Sequence, residues 1–345
     1  MMGITARRLA IALTAAATAC GYDSNAPDQY DTLTVPDANE GLWIASGSSP
    51  AILRLAPTQL LSSGRQIPSA TVTTSSATLF TVSGLAFDAS GTLWIASADD
   101  SLLLAFSPEV LAASGFSVAS TVIDPTERSL SAPSAVAFDR LQRLWVANVK
   151  TGTVVRFDPG QLAAGGAQTP VVVITGLAQP TALAFDAGGS LWVANSQTNT
   201  LVKYSAAQLG ASGAPTPQVV LSASESSISN PFALAFDAVG NLWVANVGKS
   251  TIVAFAPEAL AATGSPLPRI EFSSRTSSSQ LPVGLAFDPR GDLWVTSAEG
   301  SLLRFAAGDL TETGTPEPTA ELFLNGHSLL SGIAFWPTSP GLPIN

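Results

Sequence analysis

The chain has 345 residues, 46% of them hydrophobic and only 12% charged, with 15 Lys and Arg against 25 Asp and Glu for a formal charge of −10. Such sparse charge excludes a long solvated helix array, a coiled coil and a charge-driven disordered chain, and its acidic sign argues against nucleic acid as a partner. A single Cys and a single His exclude an intramolecular disulfide, a cysteine-based zinc site and a multi-histidine metal centre.

Residues 1–19 read as an export signal. Arg7 and Arg8 form a basic n-region, and Leu9 to Ala19 form an apolar run of eleven residues, too short to span a bilayer as a helix. The run ends in Ala17-Thr18-Ala19 directly before Cys20. This resembles a bacterial lipoprotein signal, which implies lipidation of Cys20, with Ala17 standing where that family usually has Leu. Gly21 follows, not the Asp associated with inner-membrane retention, so the expected location is the cell envelope, with the outer membrane favoured. Residues 20–40 hold Asp23, Asp28, Asp31, Asp37 and Glu40 with no Lys or Arg, and read as a solvated tether with a reach of about 25 Å.

Residues 41–345 are organised by a repeat. The pentapeptide Leu-Trp-(Ile/Val)-(Ala/Thr)-(Ser/Asn) recurs at Trp43, Trp94, Trp145, Trp192, Trp243 and Trp294, at spacings of 51, 51, 47, 51 and 51. Seven residues before five of these tryptophans stands Phe87, Phe138, Phe185, Phe236 or Phe287, each in an Ala-Phe-Asp segment. Behind each tryptophan comes a leucine, then four residues later a glycine: Gly64, Gly115, Gly166, Gly213, Gly264 or Gly314. Within a unit, three short β-rich runs precede one helical turn, opened by Pro and ended by the glycine, and a fourth β-rich run follows. Both faces of Leu144-Trp145-Val146-Ala147-Asn148 are apolar, as expected of a sheet packed between two others. Four strands in each of six units predict an all-β, six-bladed β-propeller. The first unit lacks an Ala-Phe-Asp strand, and the orphan Gly332-Ile-Ala-Phe335 predicts that the C-terminal strand completes it and closes the ring.

In Pro180–Asn195, Pro231–Asn246 and Pro282–Ser297 the chain resembles the NHL-repeat propellers and the wider six-bladed group that includes gluconolactonase-like metal hydrolases and streptogramin-lyase-like proteins. The resemblance implies a ligand end of the channel, carrying the positions just before each innermost strand and those just after each Leu-Trp strand. The first set is Ser83, Ser134, Thr181, Phe232, Val283 and Ser331, which offers none of the carboxylates that a hard cation needs. No cofactor or metal is therefore expected. The lyase-like relatives imply a histidine acid or base, for which the one candidate is His327; it reads as a solvated loop residue, since no partner is implied. Asp88, Asp139, Asp186, Asp237 and Asp288 repeat at one turn in five units and read as turn caps, and the tryptophans as packing between blades.

The second set ends in Ser46, Ser97, Asn148, Asn195, Asn246 and Ser297, of which Asn148, Asn195, Asn246, Ser97 and Ser297 are the candidate ligand-binding residues. The expected function is that of a monomeric, non-catalytic scaffold for a protein, peptide or glycan. The competing reading is a lyase or lactone hydrolase of the streptogramin-lyase or gluconolactonase-like type.

Overall fold

The structure is a computed structural model that describes residues 38–47, 51–73, 82–125, 129–222, 227–273, 281–311, 313–314 and 316–337. Residues 1–37, with Cys20, the expected signal and most of the expected tether, lie outside the described residues.

The chain is a six-bladed β-propeller. Blade 2 is typical. Val82–Phe87, Leu93–Ser97, Leu102–Phe106 and Thr121–Pro125 lie in sequence order from the centre outward, each antiparallel to the next. Blades 3 to 6 repeat the order, beginning at the inner strands Pro133–Phe138, Pro180–Phe185, Pro231–Phe236 and Pro282–Phe287. Blade 1 takes its inner strand from the far end of the chain. Leu330–Trp336 pairs antiparallel with Gly41–Ser46, as the orphan segment predicts. The inner strands then touch one another in an unbroken cycle around the axis.

The core is not one mass but six, one at each junction between blades. Each tryptophan belongs to the junction that follows its own blade. Trp192 of blade 4 sits with Phe236 and Phe255 of blade 5, and Trp294 of blade 6 with Leu53 and Leu55 of blade 1. Edge-on contacts recur, as between Trp145 and Phe185 at 6.2 Å and 64°. A blade with two apolar faces fits only between two neighbours, so the repeat and the ring are one solution to burial.

The repeated glycine corrects the sequence reading. The helical turn does form, as in Pro108–Ala112 or Pro257–Leu260, but the glycine beyond it is not merely its terminator. All six glycines lie parallel against the outermost strand of the preceding blade: Gly64 on Leu322, Gly115 on Val72, Gly166 on Ile123, Gly213 on Ile174, Gly264 on Leu221 and Gly314 on Phe272. In three sheets this contact grows into a short fifth strand. At Gly115 a Cβ would meet nothing within 4 Å, yet φ is +121°, so the backbone conformation, not crowding, calls for glycine. Gly64–Gln66 on Ala320–Leu324 gives the ring a second, outer closure.

Candidate functional site

Pro133 pairs with Asn148, Pro180 with Asn195, Pro231 with Asn246 and Pro282 with Ser297, so the inner strands begin at the end of the ring where the Leu-Trp strands finish. The aspartate turns lie at the opposite end. Along the inner strands, Gly84, Ala135, Ala182, Ala233, Gly284 and Gly332 make a ring of minimal side chains, followed by a ring of Leu85, Val136, Leu183, Leu234, Leu285 and Ile333. The small residues let the strands close in: a Cβ on Gly84 would stand 2.7 Å from Ala135 Cα. The channel cavity that remains is about 80 Å³, room for two or three waters at roughly 30 Å³ each.

The hydroxyls at the start of these strands are engaged from blade to blade. Ser134 Oγ donates to the Pro180 carbonyl at 2.9 Å, Thr181 Oγ1 to the Pro231 carbonyl at 2.7 Å, and Ser331 Oγ to the Val82 carbonyl. The Ser83 side chain lies outside the described residues. Phe232 and Val283 carry no hydroxyl; there Thr296 Oγ1 reaches the Ser331 carbonyl at 2.6 Å and links blade 6 to blade 1. Three of the positions that the resemblance assigns to ligands, Ser134, Thr181 and Ser331, thus bond to a neighbouring blade.

The three asparagines come together at the same end but inside it. Asn148 and Asn246 are fully buried and Asn195 nearly so. Each carboxamide oxygen accepts an amide N–H of the loop entering the inner strand: Ser131 at 3.1 Å, Ala178 at 3.2 Å and Ser229 at 3.0 Å. Their Nδ2 groups donate to Thr153, Thr200 and Thr251, and those of Asn148 and Asn246 also to the carbonyls of Ser129 and Ser227. Ser97 is buried as well, and Ser297 Oγ donates to Glu299 Oε2. The three asparagines thus bond the loops that enter their own inner strands, and Ser297 the loop that leaves its own strand.

His327 has a partner that the sequence did not imply. Its Nδ1 lies 3.3 Å from Ser46 Oγ, which itself reaches the Ser328 carbonyl at 3.4 Å. Ser46 is 1% exposed, so the pair fastens the loop before the closing strand to the end of the first Leu-Trp strand.

At the other end, the five aspartates cap their turns as expected and do one thing more. In blade 3, Asp139 Oδ1 accepts the amides of Leu141 and Arg143, while Oδ2 accepts the Trp145 indole N–H at 3.0 Å. The same Asp-to-Trp bond recurs at Trp94, Trp192, Trp243 and Trp294. In blade 1 the residue six before the tryptophan, Asp37, lies outside the described residues, and Trp43 donates to the Asn39 carbonyl.

Across the strand pair from each tryptophan stands a residue the sequence reading passed over: Arg54, Ala105, Arg156, Lys203, Ala254 or Arg304. Arg156, Lys203 and Arg304 lie over their indoles at 5.7, 5.5 and 5.8 Å. Burial tends to raise the Asp186 carboxyl, but the Lys203 ammonium at 2.9 Å and the turn amides outweigh it and hold the group below its ordinary range.

No family model matches the chain, and neither does any curated protein. Solved structures do resemble it. The virginiamycin B lyase from Staphylococcus aureus superposes with a TM-score of 0.52 at 11% identity, over 73% of each chain. A chain of the nidogen/laminin complex superposes with a TM-score of 0.60 at 14% identity, over 86% of this chain and 98% of that one. One of these neighbours is a lyase and the other part of a protein complex; at such identities the likeness is one of fold.

Proposed function

We propose that the chain is a cell-envelope lipoprotein whose propeller is a non-catalytic platform for a protein, peptide or glycan, held at the membrane through Cys20. The observation that carries this reading is the state of the channel. Its six strand-entry positions hold no carboxylate, the described hydroxyls there bond to adjacent blades, and the cavity that the inner strands leave is about 80 Å³. A small-molecule active site ordinarily occupies roughly 300–1,000 Å³ with convergent polar groups. The protein complex among the fold neighbours is consistent with a ring that works by presenting its surface.

The anchor is tested by replacing Cys20 with Ser. The wild-type chain is expected in the membrane fraction, outer membrane favoured, and the variant in the soluble fraction. Unchanged fractionation of the variant would remove the lipid from the account.

The competing reading, a lyase, draws on the His327–Ser46 contact at the strand-entry end. It asks a general base to act beside a serine with almost no access to solvent.

A further inference from the structure

The junctions between blades show from within the chain what their outer grooves accept. At the junction of blades 3 and 4, the Arg156 guanidinium lies over Trp145 and donates to the carbonyl of Leu209, on the helical turn of the next blade, at 3.2 Å. At the junction of blades 6 and 1, Arg304 lies over Trp294 and donates to the equivalent carbonyl of Leu60, again at 3.2 Å. Two units of the repeat thus place the same group on the same pair of receptors.

Blades 4 and 5 keep the receptors and lack the guanidinium. The residue over Trp192 is Lys203, and its ammonium lies against Asp186 at 2.9 Å. Among the described residues, no side chain donates to the carbonyl of Leu260, the counterpart of Leu209 and Leu60. An open groove of about 380 Å³ results, walled by Pro257, Leu260 and Ala261 on one side and by the Asp186 turn on the other. The groove between blades 6 and 1, with its arginine in place, retains about 170 Å³. Both grooves carry one carboxylate in excess: Glu40, Asp288 and Asp292, the last 3.8 Å from Arg304, face Arg290 and Arg304 in the filled groove, and Asp186 and Asp237 face Lys203 in the open one. The open groove therefore lacks a guanidinium, an N–H donor to the Leu260 carbonyl and the volume of a side chain.

We infer that the groove between blades 4 and 5 receives an arginine side chain of a partner polypeptide, whose guanidinium donates to the Leu260 carbonyl and offsets the excess carboxylate. This rests on the platform reading and gives it a site and a partner chemistry. Arginine suits the groove better than lysine because its planar fork bonds the carbonyl while its methylenes cover Pro257 and Ala261. The acidic surface of the whole chain draws such a partner in.

The test uses the full chain and three peptide amides, Gly-Arg-Gly, Gly-Lys-Gly and Gly-citrulline-Gly, followed by NMR of the Lys203 and Leu260 signals. The arginine peptide is expected to bind at least tenfold more tightly than the citrulline peptide, which keeps the shape and loses the charge. Lys203→Arg supplies the guanidinium from within, as two other junctions do, so this variant is expected to stay folded and to lose the arginine peptide. Equal binding of arginine and citrulline peptides, or undiminished binding to a folded Lys203→Arg chain, would overturn the inference. A wild-type chain that binds none of the three peptides would overturn it too. If that chain still cross-links to one partner in envelopes, and the Lys203→Arg variant does so equally well, the platform reading stands without this groove.

Discussion

A chain lacking Ser331–Asn345 is expected to lose its cooperative thermal transition and to aggregate. The deletion takes away all but the first residue of blade 1's inner strand, and with it the pairing of Gly41, Leu42, Trp43 and Ile44. It also removes Ile333, Ala334, Phe335 and Trp336 from the junctions on either side, where Phe335 meets Trp294 at 6.3 Å and Trp336 meets Phe87 at 5.2 Å. Burial of each large apolar side chain contributes about 1.5–3 kcal/mol, so several lost together match a typical total stability of about 5–15 kcal/mol. What remains exposes an unpaired strand edge at the centre of the ring. Calorimetry and light scattering read both effects. A truncated chain that melts like its parent would mean that the outer closure, Gly64–Gln66 on Ala320–Leu324, suffices.

Asp139→Ala is expected to cost about 3 kcal/mol in equilibrium urea unfolding. The carboxylate is the acceptor for two turn amides, for Arg143 Nε at 2.6 Å and for the indole N–H of a fully buried Trp145. Each buried donor left without an acceptor costs about 1–3 kcal/mol, the indole most because water cannot reach it. Asp139→Asn keeps one oxygen and is expected to lose about half as much. A loss below about 0.5 kcal/mol for the alanine variant would show that the repeated aspartate acts on its own turn and not on the junction.

The ring was legible in the sequence because a propeller repeats its burial problem. Trp43 through Trp294 recur because every junction needs the same filler, and the orphan strand before Trp336 was legible because one unit lacked its counterpart. The glycine contacts were not, since each partner belongs to the preceding unit, and a repeat shows spacing without showing which neighbour is met. The partners of the asparagines were hidden for a related reason. Asn148 at a strand end looks the same in sequence whether its amide faces a channel or an incoming loop, and only the loop's path decides. Lys203 had a usable signal, its place eleven residues after Trp192 where Arg156 stands eleven after Trp145, but the pattern gains meaning only once register sets the two side by side.

The claim that this propeller is a platform is met most directly by short-range cross-linking of the wild-type chain in intact envelopes, read by mass spectrometry. The account predicts one recurring partner whose cross-links map to a single face or rim of the ring, and no turnover of glycan or lactone substrates. Turnover that is lost in a folded His327→Ala chain, with cross-links scattered according to envelope abundance, would contradict it.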